Sequence, residues 1–278
     1  MRRFSLLAFV ILFLFGCSAG KRANRQDANI IRIKGSDTML NLVQRWAEAF
    51  MLRNPGVSVY TEGGGSRTGI AALIDGKVDI AAVSRPLQAD EIRELVEKQN
   101  SLGISVLCAK DALSVYLNLQ NPVRNLTSQQ IRDIFTGKIS SWRDLGGEDA
   151  PISVIGRTPN SGTYLFFEEH ILLGTPYRDG VLALSTTEAV VDAVAKDRYA
   201  IGYGGMAYGQ NVFHAFVDGV EPSGENVRNG DYPLARYLYL YTAQKPTAEL
   251  KKFIDWVLGR EGQAIVQQIG YIPLYPVQ

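Results

Sequence analysis

From Ile30 onward, short apolar runs alternate with stretches whose apolar positions recur at helical spacing. NIIRIKG predicts a strand; residues 38–53 carry Leu42, Trp46, Ala49 and Phe50 on one helical face, and Asn54-Pro55-Gly56 stops that helix before the strand VSVYTEG. A helix over about 68–75, the strand VDIAAVS and a charged helix over 89–99 continue the alternation. The next run, GISVLCAKDALSVYLNL, is unusually long for one strand, and the Lys110-Asp111 pair in its middle suggests a chain leaving one domain for another. A second set follows: a helix over 128–135, the strand PISVIG, a helix from Ser161, a helix over 187–195 and the strand YAIGYGG. ARYLYLYTA predicts another strand, and 248–269 reads as a helix.

Such alternation predicts an α/β fold with mainly parallel sheets covered by helices. The expected plan is two lobes joined by two crossings, with 30–109 and 242–278 in the first lobe and 110–241 in the second. There is no internal repeat or low-complexity block. Tyr237, Tyr239 and Tyr241 alternate, so they face one side of their strand, and packing accounts for them.

The first residues differ from the rest. MRRFSLLAFVILFLFGC has two arginines, an apolar run and then Gly-Cys, the order of an export signal, and the run is shorter than the roughly 20 residues a spanning helix needs. LFGC resembles a bacterial lipobox, with Phe15 bulkier than usual, which makes Cys17 the expected lipidation site and 1–17 the leader. Residues 18–29 are polar, lack apolar periodicity and read as a flexible tether. Cys108 then has no sulfur partner and sits in an apolar run as plain core. With 46% hydrophobic and 21% charged residues the chain is a packed globular protein, and its formal charge of +1 falls to about −1 without Arg2 and Arg3. That balance argues against nucleic acid as a partner.

Three places combine hydroxyls and glycine where a strand end meets a helix: GSDT at 35–38, GGGSRTG at 63–69 and PNSGT at 159–163. A helix start has unpaired N–H groups and a positive dipole end, so each mouth suits an anion. One such mouth is ordinary capping; three at strand carboxyl ends mark the place where open α/β sheets hold ligands. Ser36, Thr38, Ser66, Ser161 and Thr163 offer donors from several sides to a small tetrahedral anion, and Arg157, four residues ahead of Ser161, supplies a two-pronged charge. GGSRTGIA lacks the Lys and Ser or Thr of a P-loop, which argues against a nucleotide. A serine-dependent phosphatase or hydrolase using Ser66 or Ser161 is the rival reading, but only His170 and His214 could serve as imidazole bases, and each reads as structural. No spacing resembles a metal site or a G-x-S-x-G elbow.

KGSDTMLNLVQRWAEAF, GGGSRTGIAALIDGKVDIAAVSRPL, NLTSQQIRDIFTGKISSWRDLGG and GRTPNSGTYLFF together resemble the phosphate-binding proteins of bacterial phosphate ABC importers, the PstS family, over nearly the whole mature chain. The resemblance implies a two-lobed, type II periplasmic-binding-protein fold that closes like a flytrap, with the two crossover strands as hinge. It implies no enzymatic activity, cofactor or metal, and a monomer whose partners are inorganic phosphate, permease subunits of an ABC importer and the membrane, through the lipid on Cys17, on the extracytoplasmic side. Phosphate contacts carry over to Ser36, Thr38, Ser66, Arg157, Ser161, Gly162 and Thr163. VSRPL departs from the family: Arg85 stands where many members have an aspartate that accepts a proton from phosphate, and both Arg85 and Asp37 are expected among the phosphate-binding residues. Asp37 then balances Arg85 or Arg157, or accepts that proton, and Arg67 either touches the anion or lies on the surface. A phosphate-sensing or adhesive surface lipoprotein would keep the same site and change only the partner.

Overall fold

The computed structural model describes residues 29–277. The expected leader, Cys17 and all but the last residue of the expected tether lie outside the described residues. Among those described, no helix is long and apolar enough to cross a membrane.

The first lobe is built from βαβ units. In β1 (Ile30–Gly35) alternation turns Ile31 and Ile33 inward, and the strand pairs in parallel with β2 (Ser58–Glu62) on one side and β3 (Ile80–Val83) on the other. β3 is buried at every residue, as a central strand must be when both faces are covered. The connections are α1 (Asp37–Arg53) and α2 (Ser66–Ile74), with α3 (Ala89–Gln99) following β3. α1 stops where expected, the N–H of Asn54 donating to the carbonyls of Phe50 and Met51 before Pro55 and Gly56.

The long apolar run is one strand, β4 (Ile104–Leu117). Its first part pairs antiparallel with β11 (Ala235–Thr242), Ala112 opposite Ala235 and Ile104 opposite Thr242, with a bulge at Leu238 and Tyr239. Its second part pairs antiparallel with β8 (Ala200–Gly205), beginning at Leu113 opposite Gly205. β8 lies parallel to β6 (Ser153–Arg157), and β6 to β7 (Leu182–Leu184), so the strand order is β2-β1-β3-β11-β4-β8-β6-β7. β4 and β11 thus run between the lobes. In the second lobe α4 (Ser128–Phe135), α5 (Gly162–His170) and α6 (Thr187–Lys196) cover the sheet.

Two apolar clusters form the lobe cores. One gathers around Trp46 from α1, β1, β3 and the C-terminal helices; the other around Trp142 from the middle of the chain. Trp46 is fully buried and its indole N–H donates to Gly262 O at 2.8 Å, so truncation to Ala would cost about 3–5 kcal/mol. Cys108 is buried, its thiol donating to Leu238 O across the β4–β11 pair, and burial raises its pKa.

The structure corrects the reading of 248–269 as one helix. Gly259, extended with ψ 173°, separates α8 (Ala248–Leu258) from α9 (Arg260–Gln268). The break turns α9 back so that Gly262 packs on the end of α8, where a Cβ would lie 2.3 Å from Val257 O. The second helix begins at Ser66 rather than Thr68, which places the serine itself in the first turn. α7 (Gly224–Asn229) and the two-residue strand β5 (Asn125–Leu126) have no counterpart in the apolar pattern, while the apolar stretch around His214 forms two two-residue strands, β9 (Phe213–His214) and β10 (Phe216–Val217).

Candidate anion-binding site

Each of the three helix mouths begins where a strand ends. At the first, Gly35 has φ 152° and a Cβ there would fall 2.0 Å from Ala82 O, so only glycine lets β1 pass β3 at this point. Ser36 follows as N-cap of α1, anchored by its N–H to Ala82 O at 2.8 Å, and its side chain makes no capping bond. Its hydroxyl is therefore not committed to the helix it caps. At the second mouth Gly64 and Gly65, with φ 110° and 96°, swing the chain into α2. Ser66 Oγ accepts from the N–H of Ser84 at 3.2 Å. At the third, Ser161 caps α5 and its Oγ accepts from the N–H groups of Thr163 and Tyr164.

These mouths, far apart in sequence, converge. The hydroxyls of Thr38 and Thr163 are 2.9 Å apart across 125 residues. A Cβ on Gly162 would lie 2.3 Å from Ser66 Oγ and 2.6 Å from Ser84 Oγ, so the starts of α5 and α2 are in close approach and Gly162 is there for want of room. Asn160 ties the same two loops, its Nδ2 donating to Gly64 O at 2.7 Å and its carbonyl accepting from the N–H of Arg67. Ser36, Thr38, Ser66, Ser161 and Thr163 are all nearly inaccessible.

Arg157, at the end of β6, is 2% exposed. Its guanidinium donates to Thr187 Oγ1 at 2.9 Å, Ser185 O at 2.7 Å and Asp37 Oδ2 at 3.3 Å. Asp37 Oδ1 accepts from the N–H of Gly64 at 2.8 Å, so this carboxylate joins the first mouth, the second mouth and the arginine of the third. Burial lowers the pKa of Arg157, and the Asp37 carboxylate opposes that shift. Of the two arginines that Asp37 could balance, the structure pairs it with Arg157.

Arg85 is not joined to the mouths. Its guanidinium donates to both oxygens of Glu91, at 2.8 and 2.5 Å, and to Pro86 O. Glu91 in turn accepts from the N–H of Gln88 and so caps α3. The physical reason is local: Glu91, in the first turn of α3, brings a carboxylate to the arginine that follows β3. Arg67 is solvent-exposed.

Four neighbours of the mouths escaped the sequence reading. Ser84 contacts Ser66, and Thr187 holds Arg157. Arg236 and Asp111 stand opposite each other on β11 and β4. The guanidinium donates twice to Asp111 Oδ2, at 3.0 and 2.8 Å, and once to Thr163 Oγ1 at 3.1 Å. Burial raises the pKa of Asp111 and Arg236 opposes it. Cross-strand register, which no local pattern encodes, makes this pair; the Lys110-Asp111 charge interruption in an apolar run was the available signal.

Neither histidine meets the mouth serines in the hydrogen bonds it makes. His214 Nε2 faces Gly209 O at 3.2 Å, which makes it the N–H side, and Nδ1 accepts from the Ser114 hydroxyl at 2.8 Å. His170 Nδ1 donates to Phe166 O within its own helix. Among the described residues no cluster of His, Cys, Asp and Glu could hold a metal ion.

The donors that converge here can surround a compact anion with hydroxyls, helix-start N–H groups and one guanidinium. Comparison with known proteins points the same way. A model of the PBP superfamily domain matches residues 21–261. The phosphate-binding protein PstS of Pseudomonas aeruginosa PAO1 is 34% identical, over 91% of this chain and 85% of the relative. PstS of Bacillus subtilis 168 is 30% identical, over 92% and 85%. Among solved structures, a Clostridium perfringens chain with bound phosphate, assigned as the substrate-binding protein of a phosphate ABC transporter, superposes with TM-score 0.83 at 33% identity, covering 89% of this chain and all of that one. An ABC-type phosphate transport receptor from Vibrio cholerae gives TM-score 0.73 at 27% identity, covering 88% and 100%.

Proposed function

This chain belongs to the PstS family of phosphate-binding proteins, within the PBP superfamily, and from that premise we propose that it holds inorganic phosphate at the three converging helix mouths and delivers it to an ABC importer. It is a substrate-binding protein of phosphate ABC transport rather than an enzyme, in line with the relatives. The observation that carries the site is the convergence itself: α1, α2 and α5 start within hydrogen-bonding reach of one another, beside a buried arginine.

In this reading Ser36, Thr38, Ser66, Ser161, Gly162 and Thr163 donate to phosphate oxygens and Arg157 supplies the charge. Asp37 keeps Arg157 oriented and presents negative charge at the anion's edge. A carboxylate there accepts the proton that phosphate carries near neutral pH and repels sulfate, which carries none. Arg85 serves α3 and stands outside the ligand set.

We assign 30–109 with 242–278 to one lobe and 110–241 to the other, in keeping with the two core clusters and with β4 and β11 as the strands between them. Contacts such as Thr38 to Thr163 and Asp37 to Arg157 join the lobes directly, so release of the anion requires them to separate about the crossing strands. Lipidation at Cys17 would hold the monomer at the outer face of the membrane, beside permease subunits. Replacing Cys17 by Ser should release the protein from membranes or leave its leader uncleaved; unchanged association with normal processing would contradict the anchor. Calorimetry of the delipidated protein should give tight one-to-one binding of phosphate and much weaker binding of sulfate, and equal affinities would overturn the assignment of Asp37.

A further inference from the structure

Outside the helix mouths lies a cavity of about 510 Å³ with walls from α3, α5 and β11, among them Arg85, Phe166, Glu169, Arg236, Tyr237 and Tyr239. It therefore touches both lobes and one crossing strand. Two of its walls are arginines exposed by only 3% and 5%, and each keeps a buried donor without a hydrogen-bond partner: Nε of Arg85 and Nη1 of Arg236. A buried donor left unmatched is costly and rare, so each of these two wall residues gains by turning its shielded donor toward an acceptor placed in the cavity.

The charge balance limits what that acceptor can be. Arg85 is matched by Glu91 and Arg236 by Asp111, while Glu169 adds an exposed carboxylate. The cavity thus offers directed donors with no surplus of positive charge, which suits a monoanion better than the phosphate dianion. Several of its other walls are flat rings. The rings of Phe166 and His170 stack with centroids 4.0 Å apart, Arg236 lies over the Phe166 ring at 5.4 Å, and the Tyr237 and Tyr239 rings line the strand side. The volume is of the size that takes an organic ligand.

We propose that this cavity is an accessory site for a small organic carboxylate with a flat apolar body, its two oxygens accepting from Arg85 and Arg236 and its body lying between Phe166 and the tyrosines. Arg236 also donates through Nη2 to Thr163 Oγ1, so an occupant that fixes this guanidinium alters one contact of the helix mouths. Occupancy therefore changes phosphate affinity without displacing phosphate; this second half rests on the phosphate reading above, and the first half does not.

Benzoate is the probe, titrated by calorimetry into the delipidated protein, first without phosphate so that failure here is distinct from failure of the phosphate reading. The expected result is saturable one-to-one binding below roughly 10 mM, weakened about threefold or more by Tyr237→Ala and strengthened about threefold or more by Glu169→Gln. Both variants should bind phosphate as wild type does. With benzoate saturating, the phosphate dissociation constant should move by about twofold or more and then plateau. No saturable binding, binding that neither substitution changes, or simple competition with phosphate would each overturn the site. A phosphate constant unmoved at saturating benzoate would overturn the coupling.

Discussion

Arg157 and Arg85 are both buried, both follow or end a parallel strand of their lobe, and both hold a carboxylate. They differ in where that carboxylate comes from. Glu91 is six residues from Arg85, in the first turn of the next helix, and the pair closes a local cap. Asp37 is 120 residues from Arg157, on the other lobe, and shares the arginine with Thr187 and Ser185. A short-range pair is complete within one lobe whatever the cleft does. In the closure proposed above, a pair that spans the lobes is made and broken as they meet and part, which puts its charge where the ligand is to be gripped and released. Sequence distance between partners, more than burial or residue type, separates the arginine that caps a helix from the one we assign to the ligand.

The largest effect should come from the local pair. Arg85→Ala leaves Glu91 buried without its partner, and breaking a buried pair from one side costs about 3–5 kcal/mol, read as a lower urea midpoint with the slope unchanged. Phosphate affinity of the folded fraction should stay within about twofold. A large affinity loss with little change in stability would reverse the roles of the two arginines.

Arg157→Ala also leaves a buried carboxylate without its partner, but its distinguishing effect should be on binding. Removing a charged donor from a desolvated anion costs about 1.5–3 kcal/mol per hydrogen bond, so phosphate affinity should fall roughly tenfold to several hundredfold in calorimetry. An unchanged dissociation constant would remove Arg157 from the site.

A finer test concerns the carboxylate that Arg157 holds. Asp37→Asn keeps the acceptor for Gly64 N–H and removes the negative charge, so sulfate affinity should rise roughly threefold to tenfold at fixed pH and salt, narrowing the preference for phosphate. If sulfate is rejected as strongly as before, with phosphate binding intact, Asp37 is only the partner of Arg157.

The smallest effect lies away from both arginines, at His214. Burial lowers its pKa from the ordinary value of 6.5, so the unfolded chain takes up the proton first as the pH falls. The contribution is whole above about pH 6.5 and is lost as the pH drops toward the folded value. Stability should therefore decline below that pH, and His214→Gln should flatten the decline; an identical slope in denaturation midpoints from pH 7 to 5 would show that other groups govern it.

The contrast between near and distant partners also describes how much was legible. α1 was readable because Leu42, Trp46 and Phe50 recur at helical spacing and Asn54-Pro55-Gly56 ends the run, both local facts. The mouths were readable for the same reason: a serine, a glycine and a strand end adjoin in each. What was hidden depends on pairing across the chain. The Arg236 to Asp111 pair exists only in the β4–β11 register, and Ser84 reaches Ser66 only because β3 lies beside the start of α2. The break at Gly259 was hidden because the apolar period continues through it, and the packing of Gly262 against Val257 and Trp46 sets it. Arg85 follows β3 close to the mouths, and it is Glu91, six residues on, that ties it to the start of α3 instead.

We place phosphate where α1, α2 and α5 begin, against Arg157. A crystal structure of the protein grown with phosphate tests it most directly. One tetrahedral density is expected in hydrogen-bond contact with Ser36, Thr38, Ser66, Ser161, Thr163 and the Arg157 guanidinium, with Arg85 still on Glu91. Phosphate bound against Arg85 instead, or helix mouths left without density at saturating phosphate, would contradict it.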